Sequence, residues 1–287
     1  MTMIQILILA LVQGAAELLP VSSSAHVIVI AKLMGLDPTA PEMTLLLVML
    51  HTGTMFAVIC YFWKSWRAGF FASHQLFMAS LKLIMLATVL TGAVGLTLKA
   101  LIERFAMANI PHAEIELLFG NLGLISAALA AAGLLIIIAG LRGKQTVESS
   151  EIGVGASALI GVVQGLCLPF RGFSRSGATI SIGLLLGIAR VKAEEFSFAL
   201  AVVLTPPVVV REVLRLMKAH SLTASPQGPH LLGLFLPGLA GMALSFLAGL
   251  LALRWLSNWL ERGRWQFFGY YCLGAALFVY TCYRLGV

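Results

Sequence analysis

The chain has 287 residues, of which 60% are hydrophobic and 11% charged, and its mean hydropathy is +0.97. A soluble globular domain carries about 25% charged residues, so a water-soluble fold is excluded, and several charge-free windows of about 20 residues are long enough to cross a hydrocarbon core as helices. The net charge of +7 comes from basic residues scattered between apolar runs, without the dense or aromatic-interleaved patch of a nucleic-acid binder.

The first apolar run, "MIQILILALVQ", has no basic flank and passes straight into Gln13 and Glu17. It reads as part of the mature fold rather than as a cleaved signal. The stretch that follows, "QGAAELLPVSSSAH", breaks the apolar pattern at Leu19 and Pro20 and resumes it in "HVIVIAKLMG". Three spans are predicted next, at Met43–Trp63, Ser80–Ala100 and Leu117–Leu141. A second broken segment then runs from "GASALIGVVQG" through "LPFRGFSRSG" to "ATISIGLLLGIA". Three more spans follow, at Phe196–Met217, Leu232–Leu253 and Phe267–Leu285. Pro206 and Pro207 fall inside the first of these and should kink or unwind it. The four cysteines, Cys60, Cys167, Cys272 and Cys282, form no CxxC pair and read as small core residues. Trp255, Trp259 and Trp265 flank a span beside basic residues, as an interfacial belt does.

The two broken segments repeat one outline. Val12, Gln13 and Gly14 match Val163, Gln164 and Gly165; Leu19 and Pro20 match Leu168 and Pro169; Ser24 and Ala25 fall against Ser176 and Gly177. Each arm of about 10 to 14 residues is too short to cross alone, which fits re-entrant pairs. Interrupted helices at matching places in two halves point to a site near mid-membrane. The predicted fold is therefore an all-α integral membrane protein, a single polytopic domain of six spanning helices plus two re-entrant pairs. Its repeats cover about 1–141 and about 152–287. Three spans separate the broken segments, so one enters from each face and the repeat is inverted. Lys64, Arg67, Arg142, Lys144, Arg190, Lys192, Arg254, Arg262 and Arg264 gather on one face, against Lys99, Arg104, Lys218, Arg284 and Arg215 on the other. The positive-inside bias puts the first face in the cytoplasm and both termini outside.

Ionisable groups at membrane depth are costly, about 2.5–3.5 kcal/mol each, and mark function. Glu17, His26 and Arg175 all lie in the breaks, among Ser22, Ser23, Ser24, Ser174, Ser176 and Thr179. A lock between repeats explains Glu17 with Arg175, but not the hydroxyls. An anion does. Helix starts just after each break would offer unpaired N–H groups, Gly172 and Gly177 would admit backbone close to a ligand, and Arg175 suits phosphate. A carboxylate beside phosphate calls for a divalent cation, and Gln13 lies one turn before Glu17 on the same face. A helix running through the serines would put Ser22 and Ser23 on the face of His26. That spacing serves a hydroxyl nucleophile with an imidazole base, or equally two phosphate ligands with water attacking. His51, alone within a span, reads as an interhelical hydrogen bonder.

"ELLPVSSSAH" resembles the (E/Q)xxxE–PVSSxxH element of the undecaprenyl-diphosphate phosphatases, the bacitracin-resistance family, and "GFSRSGATIS" resembles that family's PGxSRSGxT element. The resemblance covers nearly the whole chain. It implies an inner-membrane hydrolase that removes the terminal phosphate of a C55 polyprenyl diphosphate and so recycles the lipid carrier of cell-wall synthesis. It further implies an inverted repeat with two re-entrant pairs, often dimeric as a homodimer, open to the periplasm and needing Mg²⁺ or Ca²⁺. Carried over, Glu17, Ser23, His26 and Arg175 are the catalytic set. Ser22, Ser24, Ser174, Ser176, Gly177 and Thr179 bind substrate, and Glu17 with Gln13 holds the metal. This sequence departs from the pattern in having Gln13 for one acidic ligand, and Phe170 and Arg171 between the expected Pro and Gly. Arg171 adds a cation near the cradle and is placed among the substrate-binding residues. The rival reading is a transporter or flippase for a lipid phosphate or small anion, which shares the anion site but has little use for a nucleophile and base.

Overall fold

The computed structural model describes residues 1–38, 40–107, 115–142, 151–222, 231–260 and 264–286. Its described part is helical, with no strand among the described residues. The helices are α1 (Met3–Leu18), α2 (Ser23–Leu33), α3 (Pro41–Gly69), α4 (His74–Leu101), α5 (Leu122–Arg142), α6 (Val154–Cys167), α7 (Arg175–Leu185), α8 (Arg190–Leu222), α9 (Leu231–Leu260) and α10 (Gln266–Arg284).

The breaks are where the sequence puts them. α1 has 16 residues, and at 1.5 Å per residue reaches about 24 Å, short of a hydrocarbon core of about 30 Å. α2, α6 and α7 are shorter still, at 11, 14 and 11 residues. Five segments are long and apolar enough to cross a membrane: Met43–Gly69, His74–Phe105, Leu122–Arg142, Arg190–Arg211 and Leu236–Trp255. These make the chain a multi-pass membrane protein. α10, with 19 residues, carries four tyrosines and is not among the five.

Three details differ from the sequence reading. α5 starts at Leu122 rather than Leu117, because the Asn121 side chain accepts a hydrogen bond from the Leu124 N–H (3.0 Å) and so caps the helix there. α8 runs unbroken through Pro206 and Pro207 instead of unwinding, with the Thr205 hydroxyl bonded to the Ala201 carbonyl one turn back (2.8 Å). Trp265 is no interfacial anchor: its indole is 1% exposed and donates to Ser181 Oγ (3.0 Å). Trp255 is exposed as expected, while Trp259, Lys144, Arg215, Lys218 and Arg262 lie outside the described residues or side chains. Of the cysteines, Cys60 is exposed and the other three are buried.

Small residues let the helices approach. α1 packs on α9 and α6 on α4. A Cβ on Gly14 would fall 2.5 Å from Ala248 Cβ of α9, and one on Gly161 would fall 2.5 Å from the Ala87 carbonyl of α4. Membrane helices gain from such contacts because lipid supplies no hydrophobic drive between them. Polar clamps reinforce the α6–α4 seam: Ser157 donates to the Leu83 carbonyl (2.7 Å) and Thr91 to the Gly161 carbonyl (2.9 Å). α3 is joined to α8 through Glu195, which accepts from Ser65 and from Lys192 (2.9 Å). α5 and α10 run against one another. Inside this frame, α7 is buried over most of its length and touches α5, α6 and α8. The two broken segments thereby come face to face.

Candidate active site

Glu17 lies in the last turn of α1, one residue before its end at Leu18, and the chain leaves the helix at Leu19. Arg175 opens α7. Their side chains meet across the two breaks: Arg175 Nη2 is 3.0 Å from Glu17 Oε1, with the side chains 22% and 15% exposed. The other carboxylate oxygen, Oε2, accepts from the Ser23 hydroxyl at the start of α2 and from the Gln13 amide nitrogen (3.0 Å). His51 of α3 brings Nε2 to 3.5 Å from the same oxygen. One carboxylate thus gathers groups from α1, α2, α3 and α7.

Local backbone chemistry explains the placement. Ser22 adopts a left-handed conformation, φ 65° and ψ 87°, which turns the chain sharply between α1 and α2. It makes no side-chain cap on α2; its Oγ lies 3.4 Å from Ser24 Oγ. The start of α2 therefore keeps its N–H groups free of a side-chain cap beside Ser23. At α7, by contrast, Ser174 accepts from the Gly177 N–H (3.1 Å) and acts as the N-cap. Ser176 donates to the Leu19 carbonyl (3.4 Å), a direct hydrogen bond between the two breaks. Thr179 Oγ1 contacts the Arg175 carbonyl (2.8 Å) and Ser197 Oγ of α8 (2.6 Å), while Arg175 Nη1 reaches the Ser197 carbonyl (3.5 Å). Thr179 and Ser197 hold the arginine from behind.

Other residues singled out in the sequence lie elsewhere. His26 does not bond a serine hydroxyl. Because Ser22 is left-handed, the helical face assumed for the three residues does not extend to it. The His26 Nδ1 donates to the Ser22 carbonyl (2.8 Å), and Nε2 lies 2.8 Å from the Tyr271 hydroxyl of α10, whose ring stacks on the imidazole. Arg171 stacks over Phe119, its guanidinium carbon 4.4 Å from the ring centre. Gly172, with φ 104°, and Gly177 both approach α5, where a Cβ would fall 2.5 Å from the Ile125 carbonyl and 2.9 Å from Ile136 Cδ1.

A narrow cleft opens from this cluster. Its polar end is Glu17, Arg175, His51 and Thr54; Leu18, Met55, Val58, Phe198, Ala201 and Val202 make apolar walls running between α1, α3 and α8. A charged head beside an oily wall is the shape an amphiphile needs. His51, Ser197 and Tyr271 were not legible as site residues. Ser197 is a lone hydroxyl in an apolar run, and Tyr271 meets His26 only through the tertiary fold.

Fold and site together define a polytopic helical membrane protein whose ion cluster joins two interrupted helix pairs. The chain matches the family model "Bacitracin resistance protein BacA" over residues 6–278 and belongs to that family. It is 56% identical to an undecaprenyl-diphosphatase 2 of Acinetobacter baylyi, over 98% of each chain. It is 30% identical to an undecaprenyl-diphosphatase of Rhodopirellula baltica, over 96% of each. With an undecaprenyl-diphosphatase 1 of Burkholderia pseudomallei it shares 33% identity over 94% of this chain and 93% of the other.

Proposed function

We propose that the protein hydrolyses a polyprenyl diphosphate, undecaprenyl diphosphate in the cell, to the monophosphate and inorganic phosphate. The carrying observation is that Glu17, which lines an apolar-walled cleft together with Arg175, accepts hydrogen bonds from both Arg175 and Ser23. The names of relatives spanning almost the whole chain support the same chemistry.

In this reading the isoprenoid lies along Phe198 and Val202 while Arg175, the α2 start and Ser23 take the terminal phosphate. The nucleophile, the Ser23 oxygen or a water beside it, attacks the terminal phosphorus, and the bond to the bridging oxygen breaks. If Ser23 attacks, water then releases the phosphate from it. Glu17 accepts the Ser23 hydrogen bond, so it is the nearest acceptor for the proton that the nucleophile gives up. Phosphoryl transfer needs positioning and neutralisation of equatorial oxygen charge more than covalent help. Arg175 supplies both through its two-pronged guanidinium. His26, bonded to Ser22 and Tyr271, fixes the α2 start against α10 and so positions Ser23.

Glu17 and Gln13 would hold a divalent cation. The donor set fits: Gln13 is fully buried and its Oε1 has no hydrogen-bond partner, an acceptor left over beside a carboxylate. Such a cation, when bound, draws charge from phosphate oxygens. The finer architecture, six spans and an inverted repeat, is supported by the pairing of α1 with α9 against α6 with α4, and of each break with the other. Placement in the bacterial inner membrane with the site toward the periplasm rests on the family resemblance, while the basic-residue bias supports the orientation of the loops.

The test is phosphate release by purified protein in detergent, where vectorial transport is impossible. We expect turnover on a long-chain diphosphate that stops with chelator and is far slower on the monophosphate. Stoichiometric binding without turnover would favour a carrier.

A further inference from the structure

We propose that His51 is a nitrogen ligand of the divalent cation at Glu17. This rests on the diphosphatase reading of the same cluster. His51 Nδ1 is 2.7 Å from the Leu47 carbonyl, which only accepts, so Nδ1 carries the hydrogen. In the neutral ring Nε2 then holds a lone pair, and it lies 3.5 Å from Glu17 Oε2 at the cleft. Metal-binding histidines are held in this way, the distal N–H fixed by a backbone carbonyl so that the other nitrogen is aimed.

His26 cannot serve, since both its nitrogens are engaged, by Ser22 and Tyr271. The Gln13 amide completes the set. Its nitrogen faces Glu17 Oε2 while its oxygen is buried without a partner. Turning the amide end for end exchanges an orphaned oxygen for one against a carboxylate, which is favourable only with a cation between them. Among the described residues no three His, Cys, Asp or Glu side chains group together. The ion would thus have two such ligands, with the amide, water and substrate oxygens filling the rest. An imidazole nitrogen distinguishes such a shell from one built on carboxylate charge alone. Glutamine at position 13 removes one such charge.

Pulsed electron paramagnetic resonance of Mn²⁺ bound to the detergent-purified protein reads the ligand directly. We expect a histidine nitrogen coupling that changes character when histidine alone is ¹⁵N-labelled, persists in His26→Asn and vanishes in His51→Gln. In His51→Ala the Mn²⁺ affinity should fall by about tenfold or more. Mn²⁺ bound in a Glu17-dependent manner without histidine coupling would overturn the proposal, as would a coupling that survives His51→Gln. Should His51→Gln fail to fold, the labelled spectrum of His26→Asn decides. Normal phosphate release without the coupling would refute His51 alone; the coupling without any phosphate release would refute the diphosphatase reading instead.

Discussion

Replacing Arg175 by alanine is expected to lower kcat/KM on a long-chain diphosphate by at least about 10²–10³. Two losses coincide. The guanidinium contacts Glu17 at the meeting of the breaks, so without it the terminal phosphate loses its fork of donors. Glu17, only 15% exposed, is also left without its guanidinium partner. Breaking a buried pair from one side costs about 3–5 kcal/mol, which should appear as a lower unfolding temperature in detergent. Arg175→Lys separates the two effects, since a lysine restores charge but not the planar fork. It should regain most of the stability and little of the turnover. Near-normal phosphate release from Arg175→Ala would remove the arginine from the mechanism.

Glu17→Gln should produce the opposite signature in binding. The carboxylate competes with phosphate for Arg175, and the amide does not. The variant should therefore bind the diphosphate at least as tightly as the parent. Its kcat should fall by about 10²–10⁴, the span typical for loss of a positioned proton acceptor. Divalent-cation dependence should weaken at the same time, because the charged ligand is gone. The split between an unchanged or lower KM and a collapsed kcat distinguishes this role from a merely structural lock, whose loss would raise KM and lower stability together.

Much of the frame was legible because the membrane makes local sequence unusually decisive. Backbone polar groups must be satisfied within helices, so Leu19-Pro20 and Leu168-Pro169 amid apolar runs read directly as interruptions. Charges at Glu17 and Arg175 read directly as partners, since neither is tolerated alone. What stayed hidden depends on direction rather than identity. His51 was read as a hydrogen bonder, and its Nδ1 is one, to Leu47; that its other edge faces Glu17 is set by how α3 packs beside α1. His26 and Ser23 have the spacing of a pair, yet the left-handed Ser22 sends the imidazole to Tyr271, 245 residues away in sequence. Trp265 sits beside basic residues like an interfacial anchor, but α7 offers Ser181 as a buried partner. The proline pair in α8 signals a break, yet the helix runs on through it from Arg190 to Leu222.

The most direct measurement is an experimental structure with a non-hydrolysable methylene-bridged analogue of the polyprenyl diphosphate. The outer phosphonate should lie between Ser23 Oγ and the Arg175 guanidinium, within hydrogen-bond reach of both, with the isoprenoid along Phe198 and Val202. An analogue held by only one of the two breaks, or bound with Glu17 and Arg175 still paired and untouched, would contradict the shared grip on which the chemistry depends.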